Sequence, residues 1–142
     1  MEISEVRRRL LAALEKARRE SAERRARTDA AARDYETFLS QRASPVFHQF
    51  AAALTAEGHK FKVFTPAASI RLAADRSQDE FIELALDDTS DPPTVIGRTM
   101  RGRGRRTESS ERALKDGAPI ADLGDEDVLA FLLEEITRLI ER

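Results

Sequence analysis

Two hydrophobic rhythms divide the chain. Up to about residue 42 the apolar positions recur three and four apart, the period of a helix face; from residue 59 they alternate with polar ones, the period of a strand. Within the first segment Ile3, Val6, Leu10, Leu11 and Leu14 form one apolar patch, and Tyr35, Phe38 and Leu39 form another. Between Arg18 and Asp34 the only apolar side chains are alanines. Acids precede bases by four positions at Glu5/Arg9, Glu15/Arg19, Glu20/Arg24, Glu23/Arg27 and Asp29/Arg33, the favourable orientation on a helix. Neither Gly nor Pro occurs before Pro45. The segment therefore predicts one helix over residues 3–42, about 60 Å long at 1.5 Å per residue. A compact domain of 142 residues has a radius of gyration of only about 14 Å, so such a helix must project, fold back or pair with another chain.

Ser44 followed by Pro45 reads as an N-cap with proline at the first helical position. Phe47, Phe50, Ala51 and Leu54 then continue a second helix until Gly58 ends it. Alternation over Phe61/Val63, Ile70/Leu72, Ile82/Leu84/Leu86 and Val95/Gly97 or Thr94/Ile96 predicts strands, with turns at Thr65-Pro66, residues 75–78 and residues 88–93. A further strand is expected over residues 107–114. Residues 125–141 form the strongest amphipathic helix. Its apolar positions (Val128, Leu129, Phe131, Leu132, Leu133, Ile136, Leu139 and Ile140) cover an arc of roughly 200°, wider than one sheet needs. The acids Asp125, Glu126 and Asp127 suit the positive end of its dipole.

These elements predict an α+β protein: a long N-terminal helix, a short second helix, an antiparallel meander of four or five strands and a C-terminal helix. Residues 1–58 form a helical oligomerisation or packing segment and residues 59–142 the sheet with its last helix, together one structural domain. A heptad frame through Ile3, Val6, Leu10, Ala13 and Ala17 runs into Glu20, Arg24 and Arg27, which disfavours a long parallel coiled coil. Antiparallel self-association fits better, with the leucine end of one chain beside the aromatic end of the next. The candidate contacts are Leu10, Leu14, Ala22, Ala26, Ala30, Tyr35 and Phe38. The competing arrangement packs the helix on its own sheet or second helix.

Composition narrows the function. Hydrophobic residues make up 41%, enough for a core, and charged residues 35%, much of it on the long helix. With zero cysteines, disulfides and thiolate chemistry are excluded. No apolar run approaches a membrane span and the charged start is unlike a signal peptide, so a cytoplasmic protein is expected. The bias to Ala and to Arg over Lys fits a GC-rich bacterial genome. His48 and His59 stand eleven apart without a ligand pattern, Ser109 and Ser110 lack a nucleophile-elbow context, and Gly102-x-Gly104 lacks the third glycine of a dinucleotide loop. No catalytic residue, cofactor or metal is expected.

Net charge is only -2, yet charge is segregated. Residues 75–91 carry seven acids against Arg76, a balance of -6, and then Arg98, Arg101, Arg103, Arg105 and Arg106 follow without an acid among them. This basic run is the candidate anion or nucleic-acid contact. The expected function is a non-catalytic, self-associating interaction or adaptor protein whose protein partner the sequence does not name; the alternative is a nucleoid-type, nucleic-acid-associated protein using the arginine run.

Overall fold

The computed structural model describes residues 1–140. Glu141, expected to end the last helix, lies outside the described residues, as does the side chain of Arg103. The architecture is α+β. Helix α1 runs Ile3–Phe38, a π-helical turn spans Leu39–Ala43 and α2 spans Ser44–Ala56. Five strands follow, β1 (Phe61–Phe64), β2 (Ile70–Ala74), β3 (Phe81–Asp87), β4 (Thr94–Arg103) and β5 (Arg106–Ala113), then a 3-10 turn at Ile120–Asp122 and α3 (Asp125–Ile140).

The expected break at Ser44 is absent. Residues 38, 39, 43 and 44 all keep right-handed helical backbone angles, and Ser44 makes no side-chain cap bond. Its N–H instead donates to the Leu39 carbonyl, five residues back. Pro45 in an unbroken α-helix would both lack the bond to the Gln41 carbonyl and clash with it. The widened π turn absorbs that conflict, so the proline redirects one continuous helix instead of starting a new one. The helix does end where Gly58 predicts. Gly58 adopts φ +89°, its N–H donates to Thr55 O and that of His59 to Leu54 O, the two bonds of a Schellman cap.

The sheet is a plain antiparallel meander in the order β1-β2-β3-β4-β5. Strand β5 begins at Arg106, one residue before the expectation, because Gly104 at φ +62° closes a two-residue turn that sets Arg103 opposite Arg106. On one sheet face Leu72, Ile82, Leu84 and Val95 are buried beneath the helices together with Phe47, Val128, Phe131 and Leu132. On the other, the register aligns Arg71, Glu83, Arg98 and Glu111 in one row across four strands. Arg71 Nε donates to Glu83 at 2.7 Å and Arg98 Nε to Glu111 at 3.1 Å, and the Arg71 guanidinium lies over the Phe81 ring at 3.9 Å. Opposite charges placed directly across strands stabilise the pairing and hold its register. The arginine stems also shield Phe81 and Glu83, both buried on this face.

Phe131 and Leu132 sit at the centre of the core, as the apolar arc of α3 implies. The arc is not uniformly buried, however. Leu133 is 52% exposed and Ile140 36%, while Glu135, which lies inside the arc, is 2% exposed. The second neighbour of α3 is the π turn and α2 of the same chain. Above β4, the Phe131 ring occupies the space over Gly97: a Cβ there would fall 2.2 Å from the ring. Phe131→Ala should therefore cost about 3 to 5 kcal/mol. Gly97→Ala should cost about 1 to 3 kcal/mol through overpacking, and much less in the Phe131→Ala background. Urea unfolding of the two single variants and the double variant checks this; strict additivity would show that the two positions do not share that space.

Candidate interaction surface on the projecting helix

The body of the protein takes hold of α1 only in its last third. Tyr35 and Phe38 are 3% exposed, Thr28, Ala30 and Ala31 are half-buried, and between residues 1 and 27 only Glu5 and Ser21 are less than exposed. Tyr35 Oη donates to the Ala68 carbonyl in the β1–β2 loop. Burial, and then the charge of Glu83, push its phenol up to about 12. One turn before the body, Arg27 reaches the β3–β4 loop and donates Nε and Nη2 to the two Asp91 carboxylate oxygens at 3.1 and 2.9 Å. Residues 3–27 thus extend roughly 35 Å beyond the body. Good helix formers and the Glu5–Arg9 and Lys16–Glu20 pairs support this arm from within.

The arm carries the large apolar exposure of the molecule. Of nine large hydrophobic side chains exposed among the described residues, six (Met1, Ile3, Val6, Leu10, Leu11 and Leu14) lie in the first fourteen positions. At about 100° per residue, Leu10 and Tyr35, 25 positions apart, differ by only about 20° in bearing. Ile3, Val6, Leu10, Leu14, Ala17 and Ser21 accordingly continue the face that Ala31, Tyr35 and Phe38 bury in the body. That face meets the core at one end and solvent at the other. It changes character along the arm: its large apolar side chains end at Leu14, and a shallow depression lined by Leu14, Ala17, Arg18, Ser21 and Arg25 follows, with Arg24 beyond it at the bearing of Val6. A contiguous apolar stripe left open beyond a finished core is a candidate interaction surface.

The sequence-derived contacts fall into three groups. Leu10 and Leu14 lie on the open face, 55% and 42% exposed. Tyr35 and Phe38 are enclosed by their own body, so the aromatic end is closed to a partner helix. Ala22 and Ala26 are exposed and Ala30 half-buried, but they bear about 120° to 200° away from Leu10 and so leave the seam.

The arginine run divides between strands and turn. Arg98 pairs with Glu111, and the register sets Arg101 opposite Glu108. Arg105 and Arg106 are exposed at the hairpin tip, beside a depression also lined by Asp79 and Glu80. Acids from neighbouring strands therefore intersperse a run that reads as purely basic in sequence. Elsewhere, His48 Nδ1 lies 2.8 Å from the Ser44 carbonyl, within its own helix. Among the described residues no group of three His, Asp or Glu side chains could hold a metal, and no helix is long and apolar enough to cross a membrane.

Two polar contacts had little or no signal in the sequence. The Arg27–Asp91 pair joins residues 64 positions apart. Glu135 accepts from Thr99 Oγ1 at 2.9 Å and Arg112 Nε at 3.0 Å; its place within the apolar arc of α3 was the one available cue. The chain matches no family model, no curated protein and no solved structure.

Hydrogen bonding from Arg27 holds the Asp91 carboxyl below the usual carboxylate range. Its folded value then lies below the unfolded value of about 3.9, so the contact's stabilisation is fully present above about pH 4 and is lost as pH falls through the folded value. Asp91→Ala should mimic that loss at neutral pH. Amides of residues 27–34 should then exchange roughly two- to fivefold faster, given that exposed ion pairs contribute little, with strand amides unchanged. Unaltered exchange would mean that the pair does not steady the root of the arm.

Proposed function

We propose that the protein is a non-catalytic, self-associating interaction or adaptor module, in which the body anchors the arm and the arm makes the contact. The carrying observation is the open face bearing Ile3, Val6, Leu10 and Leu14 on a helix that outruns its domain. Fully burying a side chain of this size is worth roughly 1.5 to 3 kcal/mol. Several together can offset the entropy of association, which one exposed leucine cannot. Among the described residues the core cluster contains no side chain of the arm.

Sedimentation at tens of micromolar tests the proposal. The expected result is a homo-oligomer that becomes a monomer in the Leu10→Glu/Leu14→Glu variant, with the body's melting unchanged. A monomeric wild-type chain would sink it.

The nucleic-acid reading keeps a smaller footing in Arg105 and Arg106 at the hairpin tip. Were it the right one, generic DNA should bind at about 50 mM salt, and replacing Arg101, Arg103, Arg105 and Arg106 by Ser should flatten the salt slope by roughly three to four units. The adaptor reading expects no such binding.

A further inference from the structure

The geometry points to a specific partner and register for the arm: a second copy of this chain, antiparallel, with positions on the two arms summing to about 31. The inference rests on the self-association proposed above and goes beyond it in fixing direction and alignment. Three observations lead to it.

First, the open face and the body lie on the same side of α1. A parallel helix laid on Leu10 and Leu14 would run, past Thr28, into the volume already filled by the body around Tyr35 and Phe38. An antiparallel helix ends before it arrives. Second, size along the face is asymmetric. Large apolar side chains occupy its first half, and Ala17, Ser21 and Thr28 its second, with Arg24 among them at the bearing of Val6, so parallel alignment would set leucine against leucine and serine against serine. Antiparallel alignment sets Ile3 against the partner's Thr28, Leu10 against the partner's Ser21 and Leu14 against the partner's Ala17. Large against small is the pattern that lets helices interdigitate without voids, and the depression around Ala17 and Ser21 is where the partner's leucines would seat. Third, the length fits. With Ile3 beside the partner's Thr28, each tip stops where the other body begins, and both apolar patches are covered along the whole arm.

Charge is consistent with this alignment on one flank and opposed on the other. Residues 1–27 carry nine basic side chains against five acids, a balance of +4. In the proposed register Arg9 falls within two positions of the partner's Glu20. The opposite flank brings Arg7 against the partner's Arg24 and Arg25, a contact that salt screens. The overlap of two arms, roughly 35 Å by 10 Å in projection, is at the small end for a stable interface.

Because the chain holds no cysteine, introduced thiols report the register without background. Leu10 and Ser21 are about 16 Å apart along one helix, too far to bridge within a chain. Under mild oxidation Leu10→Cys/Ser21→Cys should run largely as a covalent dimer, whereas Leu10→Cys alone should not. Cross-linking by Leu10→Cys alone would establish a parallel pair and overturn the inference. Sedimentation of the unaltered chain, and of the variants under reducing conditions to show that they still pair, separates the two levels. A dimer without the 10–21 cross-link overturns the register alone, and a monomer overturns the self-association beneath it. A monomer that binds vesicles of phosphatidylserine and phosphatidylcholine would give the basic arm a membrane partner and likewise overturn it.

Discussion

The structure depends on the burial of one stretch of one helix face. Tyr35, Phe38, Ala43 and Phe47 fill the space between the continuous N-terminal helix, the sheet and α3. The π turn makes this possible. It adjusts the helix just where Ala43, fully enclosed, must pass close to α3, and it accommodates Pro45 two residues later. Had the helix broken at Ser44, the arm and α2 would have been free to take independent directions. Because it continues, the orientation of the arm is inherited from the packing of α2 on β1 and β2.

A second constraint comes from polar groups placed where apolar ones would serve. Glu135 is enclosed between α3 and the sheet, and it is satisfied by Thr99 from β4 and Arg112 from β5. Arg112 also pairs with Glu134 and stacks over Phe131 at 4.8 Å. Losing a partner of a buried carboxylate is strongly unfavourable, whereas the intact pair adds little net stability. Its effect is on alignment: α3 can satisfy Glu135 in only one position above the two C-terminal strands. The charged row on the other face acts similarly on strand register. A one-residue slip would put its arginines and glutamates on the core side.

The surface left over is consistent with this division of labour. The core closes without the first twenty-seven residues, and those residues hold most of the exposed large apolar side chains. A stripe of that kind on a stable helix presents a preorganised shape, so a partner helix need not pay for folding it. The graded character of the stripe, large and apolar toward the tip, mostly small with Arg24 toward the body, gives it a direction.

Periodicity by itself determined most of the secondary structure: the long helix, the turns, the meander, the central place of Phe131 and Leu132 and the glycine cap at Gly58. These follow from local rules, spacing for faces and φ for glycine, and need no knowledge of what packs where. Tertiary structure alone decided the rest. Ser44-Pro45 has the local form of a helix start, yet packing on both sides keeps the helix continuous. Tyr35 and Phe38 have the spacing of a partner-binding patch, yet the body encloses them, while Leu10 and Leu14 with the same spacing stay open. The arginine run is uniformly basic as written, but strand pairing brings Glu111 and Glu108 across from it. In each case the one-dimensional pattern specifies which side chains share a face. What lies against that face is set by residues tens of positions away, and only folding brings them together.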